Sequence, residues 1–81
     1  MQKSSKNAPV SKSRVDWKAV GRRIRELRGF DLTQKEFARR IGVSQGFLSY
    51  IERGEKEIGA EVLLWISKES GKSMEWLLTG E

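Results

Sequence analysis

The chain has 81 residues, 37% of them hydrophobic, and contains neither cysteine nor histidine. That length suits one small helical core, and the missing residue types exclude disulfides, Cys/His zinc sites, thiol nucleophiles and any imidazole-dependent triad. The net charge of +5 is unevenly spread: residues 1–42 carry twelve Lys/Arg against four Asp/Glu, whereas residues 43–81 carry four against seven.

No paired-carboxylate or glycine-rich phosphate motif accompanies the charged residues, so the composition predicts a binding protein without cofactor or metal rather than an enzyme. A basic excess of this kind neutralises nucleic-acid phosphates and releases counterions, and it also serves as a plain solvated face. No apolar run approaches the roughly 18 residues of a membrane span, and no signal-peptide core follows the basic start. The chain reads as cytoplasmic.

Residues 1–14 combine Lys3, Lys6, Lys12 and Arg14 with serines and almost no hydrophobe. Such a segment cannot offset its ordering entropy by burial and is expected to be disordered without a partner. It fits either a basic arm along DNA phosphates or a solubilising tail. Residues 15–81 carry the pattern of a folded domain. Asp16 is positioned to cap a first helix from Trp17 to about Arg28, whose apolar stripe is Trp17, Val20, Ile24 and Leu27. Arg22, Arg23, Arg25 and Arg28 occupy its other faces. The link Gly29-Phe30-Asp31-Leu32 is expected to fold Phe30 and Leu32 inward.

Thr33 opens a T-x-x-E capping box closed by Glu36, and Phe37, Ala38 and Ile41 give the second helix its apolar face. Gly42 ends it in the left-handed conformation that glycine adopts at little steric cost. Ser44 caps a third helix, about 44–53, with Leu48 and Ile51 inward and Gly54 as its stop. After the polar Glu55-Lys56-Glu57 loop, Ile58 re-enters the core. The fourth helix spans about Ala60 to Ser70, with Ala60, Leu63, Ile66 and Ser67 inward and Gly71 at its end. Ser73 caps a short fifth helix from Met74 to Leu78. The expectation is an all-α, five-helix fold.

Two short helices around Gly42, Val43 and Ser44 match the helix-turn-helix motif, which lays its second helix in the DNA major groove. Four further features occur in order. They are Leu32-Thr33-Gln34, the Phe-Ala-x-x-Ile-Gly-Val-Ser segment from Phe37 to Ser44, Ile-Glu-x-Gly from Ile51 to Gly54, and Trp-Leu-Leu-Thr-Gly-Glu from Trp76 to Glu81. On these residues, covering about 17–80, the chain resembles the Cro/phage-repressor (Xre-like) helix-turn-helix transcriptional regulators. The resemblance implies a lambda-repressor-like DNA-binding domain.

The resemblance also implies residue roles. Gln34 resembles the family glutamine that holds a phosphate and supports a second glutamine, which Gln45 matches. A glutamine amide donates and accepts together, complementing adenine N6 and N7. Ser49 and Tyr50 lie on the same groove-facing side, Tyr50 with a ring for a thymine methyl or a hydroxyl for a phosphate. Gly46 departs from the many relatives that carry a polar residue there: glycine offers a base no side-chain contact but lets the backbone approach closely. Arg53 resembles the family residue that meets phosphate as the helix leaves the groove. Lys56 adds a second such contact, and the capping hydroxyls of Thr33 and Ser44 join Gln34 at the phosphates. Glu52 matches a family glutamate that pairs with an arginine of the first helix, here Arg28.

One such domain reads few base pairs, so the family's two-fold dimer on half-sites about 34 Å apart is expected, on a palindromic operator. Trp65, Trp76 and Leu78 are the hydrophobes available for a dimer contact, since aromatics are enriched at interface cores; both tryptophans serve equally to close the core's edges. The expected function is sequence-specific double-stranded DNA binding by a transcriptional regulator, repression being the commoner mode in the family. The alternative is an antitoxin that binds its operator and a toxin protein. The length fits a complete small regulator or the DNA-binding portion of a larger one.

Overall fold

The computed structural model describes residues 15–81, so the basic arm expected over residues 1–14 lies outside the described residues. Five helices follow in order: α1 (Trp17–Arg28), α2 (Gln34–Ile41), α3 (Gln45–Glu52), α4 (Ala60–Ser70) and α5 (Met74–Thr79). Among the described residues there is no strand, and no helix is long and apolar enough to cross a membrane.

Local chemistry sets the helix starts. Asp16, Thr33, Ser44 and Ser73 each accept a hydrogen bond from the backbone N–H three residues on, which satisfies one orphan donor per helix. At α2 the exchange is reciprocal. Glu36 N–H donates to Thr33 Oγ1 at 3.0 Å, and Thr33 N–H donates to Glu36 Oε1 at 2.9 Å. The bond from the Thr33 backbone, and then that with its hydroxyl, hold the Glu36 carboxyl below its ordinary range. A carboxylate whose pKa is lowered on folding stabilises fully above its unfolded value and loses that effect as pH falls through the folded one. The stability difference between wild type and Glu36→Gln, followed by urea unfolding, is therefore expected to shrink on acidification through that window. A difference independent of pH would contradict the capping assignment.

The helices bury one cluster made of Val20, Ile24, Phe37, Ala38, Ile41, Leu48, Ile51, Ile58, Leu63, Ile66 and Leu77. α1 packs on α3 and α5, α2 packs on α3 and α4, and α4 packs on α5. The α1–α3 approach depends on Gly21, which is buried mid-helix. A β-carbon there would lie 2.5 Å from the Ile51 carbonyl oxygen and 2.7 Å from that of Glu52. Arg23 ties α5 to α1 by donating from Nη1 to the Leu77 carbonyl at 2.9 Å.

Two expectations are corrected. Phe30 does not fold inward but is fully exposed. Arg28 Nη1 donates to the Leu32 carbonyl at 3.2 Å, closing the link so that Leu32 packs against the core and Phe30 sits at the apex. Ala60 is exposed as well. It is the first residue of α4, which begins at the edge of the core, and Ile58 just before it fills the inward position.

Candidate nucleic-acid interface

The turn Gly42-Val43-Ser44 brings the start of α3 against the start of α2, and a line of hydrogen bonds runs between them to the interior. Arg28 donates from Nε to Glu52 Oε2 and from Nη2 to Glu52 Oε1, both at 2.9 Å. The side chains of Arg28 and Glu52 are 16% and 5% exposed. The bond to Glu52 is the main cause that holds the Arg28 guanidinium above its ordinary pKa, against the effect of burial. Gln34 Nε2 then donates to Glu52 Oε1 at 3.1 Å, and Gln45 Nε2 donates to Gln34 Oε1 at 3.3 Å.

The direction of this relay follows from the carboxylate. An ionised Glu52 only accepts, so Gln34 must turn its amide nitrogen inward and its oxygen outward. That oxygen takes one N–H of Gln45. The exposed Gln45 keeps its second N–H and its own oxygen free, a donor and an acceptor side by side at the tip of α3.

A second cluster lies one to two turns along α3. Arg53 donates from Nε and Nη2 to the two carboxylate oxygens of Glu55 at 3.1 and 3.3 Å, and from Nη1 to Ser49 Oγ. Its guanidinium lies 5.0 Å from the centre of the Tyr50 ring. The bond to Glu55 is the main cause that raises the Arg53 pKa. Arg53 and Ser49 are thus paired with each other, and an acidic residue that the sequence did not single out holds the arginine. The i,i+2 spacing across Gly54 gives no helical periodicity by which to find that pairing.

Thr33 and Ser44 accept cap hydrogen bonds through their hydroxyl oxygens, which leaves each hydroxyl hydrogen to donate outward. Lys56 is exposed and lines a surface hollow together with Ser44, Gly46, Phe47, Tyr50 and Glu55. Arg39 is exposed, and Arg40 donates to Glu69 of α4 at 3.1 Å. The residues expected at a dimer contact are differently placed. The Trp65 ring covers Gly42, with ring carbons 3.6 Å from where a β-carbon would stand. Trp76 and Leu78 pack half-buried against the core, and Lys72 sits 4.9 Å over the Trp76 ring. Leu64, beside Trp65, is exposed without having been expected there.

Residues 22–77 match the family model described as helix-turn-helix. A propionyl-CoA carboxylase regulator of Cereibacter sphaeroides is 39% identical over 63 residues, which are 76% of this chain and 14% of that protein's length. The chain therefore spans only a small part of this curated relative. Among solved structures, the P22 c2 repressor in complex with a synthetic operator has a TM-score of 0.72 at 36% identity, covering 76% of this chain and 96% of that one. The clp gene regulator ClgR from Corynebacterium glutamicum has a TM-score of 0.69 at 32% identity, covering 79% of this chain and 69% of its own.

Proposed function

Because this chain belongs to the Cro/phage-repressor type of helix-turn-helix DNA-binding transcriptional regulators, we propose that it binds a palindromic operator as a dimer, inserts α3 in the major groove and represses by occupancy. The observation that carries this reading is the relay from Arg28 through Glu52 and Gln34 to Gln45. It holds one amide at the tip of α3 with the donor and acceptor geometry that adenine presents in the major groove. The similarity to a repressor solved on an operator supports the same direction.

Base contacts fall to Gln45, Gly46, Ser49 and Tyr50. Phosphate contacts fall to Thr33, Ser44, Arg53, Lys56 and Gln34, the last through its backbone N–H at the start of α2, and these position the domain without reading sequence. Arg53 exchanges Glu55 for a phosphate on binding, an exchange that an exposed ion pair opposes only weakly. Trp65, Trp76 and Leu78 supply the dimer contact.

Selection of bound duplexes from a random DNA pool tests the reading, because the symmetry of the recovered site also reports the oligomer. Gln45→Ala is expected to lose about tenfold in affinity for each half-site while random DNA is bound as before, since a good bidentate pair discriminates by about 1–3 kcal/mol. Equal weakening on all sequences would remove Gln45 from direct readout.

A further inference from the structure

Four large hydrophobic residues are exposed among the described residues: Phe30, Tyr50, Leu64 and Trp65. Phe30 sits at a loop apex and Tyr50 belongs to the candidate interface, whereas Leu64 and Trp65 stand side by side on α4. With Glu61 and Lys68 they form one exposed stripe at i, i+3, i+4 and i+7, on the side of the helix opposite the buried Leu63 and Ile66. The Trp65 ring packs over Gly42, so its exposed part is held in place before a partner arrives.

The charges at the two ends of this stripe find no partner within the domain. No salt bridge among the described residues uses Glu61 or Lys68, while the neighbouring Glu69 is taken by Arg40. Nor can Glu61 and Lys68 serve each other, since seven residues separate them by about 10 Å along a helix.

In chain order the stripe reads acid, apolar, apolar, base. Turned end for end it reads base, apolar, apolar, acid, so the face is complementary to a reversed copy of itself. A two-fold axis passing between Leu64 and Trp65 sets Glu61 against the partner's Lys68 and Leu64 against the partner's Trp65. Each contact is then made twice, as an isologous interface requires. Parallel copies would instead oppose like charges, which is unfavourable. A foreign protein would not call for this reversal symmetry. α4 packs on α2 and α5, whereas α3 packs on α1 and α2. Pairing through the outer side of α4 therefore leaves α3 uncovered in both copies.

We propose that the second copy in the dimer is met through α4, running antiparallel, with Glu61 and Lys68 in reciprocal ion pairs around a centre of Leu64 and Trp65. The assignment rests on the dimer reading above. A stable interface buries about 800 Å² per partner, more than one face of a short helix offers, so the pairing takes effect where DNA holds two copies close together.

The test uses the full chain on a duplex with two selected half-sites, which wild type is expected to fill cooperatively. Glu61→Lys and Lys68→Glu each turn two attractive contacts repulsive, and each is expected to lower the cooperativity about tenfold. The two variants shift the net charge in opposite directions, so a general change in attraction to DNA would not move them alike. The joint exchange, Glu61→Lys with Lys68→Glu, is expected to restore cooperativity, because the swapped face is again complementary to its own reverse. Cooperativity that either single variant keeps, or that the joint exchange does not restore, overturns the α4 pairing while the dimer reading stands. A wild-type chain that fills the two half-sites independently overturns both.

Discussion

Replacing Gly21 with alanine is expected to lower the melting temperature by about 10 °C or more, read by thermal circular dichroism. Taken alone, a Gly→Ala change inside a helix favours folding by about 1 kcal/mol. The added β-carbon, however, would stand 2.5 Å and 2.7 Å from two carbonyl oxygens of α3. Backbone cannot rotate out of the way as the end of a side chain can, so α1 and α3 must separate and loosen Val20, Ile24, Leu48 and Ile51 together. Overpacking costs about 1–3 kcal/mol, and more where backbone is the obstacle. In a domain of this size each net kcal/mol moves the midpoint by about 4–8 °C. The same substitution at Gly46 provides the contrast. With nothing within 4 Å, it is expected to leave the midpoint unchanged or raise it, and equal effects at the two glycines would refute the packing account.

The second large effect is expected from Arg28→Ala, at about 3 kcal/mol of stability lost in denaturant unfolding. Removing one partner of a buried ion pair strands the other, and that uncompensated charge accounts for most of the cost. Here Glu52, 5% exposed, would keep only the weaker donation from Gln34. The loss also opens the link, because the same guanidinium holds the Leu32 carbonyl. Replacing both partners with apolar residues separates stability from recognition. Arg28→Met combined with Glu52→Leu is expected to regain much of the stability, as buried ion pairs exchanged for hydrophobes commonly do. It is not expected to regain discrimination among DNA sequences, since Gln34 loses the acceptor that orients its amide. A double variant that selects its site as well as wild type does would show that the relay has no part in readout.

The helices were legible in the sequence because their signals are local. Asp16, Thr33, Ser44 and Ser73 mark starts with side chains that reach only three residues ahead, and Gly42 and Gly71 mark ends with backbone conformations of their own. What escaped depends on contacts between distant segments. Phe30 carries the same hydrophobic signal as Leu32, and which of them turns inward is decided by a bond from Arg28 that periodicity cannot register. Leu77 is buried deep in the core, yet a helix as short as α5 gives too few turns for a stripe to single it out. Gly21 did leave a signal in the sequence, a glycine mid-helix at no cap position, and its meaning needed the position of α3.

At the candidate interface, the family resemblance supplied two separate pairs, Gln34 with Gln45 and Arg28 with Glu52. The structure adds that the four side chains are joined in one line. The engagement of Arg53 by Glu55 was not legible, because two residues on either side of a left-handed Gly54 meet through the turn's geometry rather than through spacing.

The way α3 divides its eight residues has a consequence for how such a protein can be altered. Leu48 and Ile51 are committed to the core, Phe47 packs half-buried against it, and Glu52 belongs to the ion pair. Gln45, Gly46, Ser49 and Tyr50 are absent from that cluster. The residues proposed for base contacts and those that hold the fold are thus different letters of one short helix. An exchange confined to those four positions rewrites the vocabulary of the surface and leaves the grammar of the fold untouched.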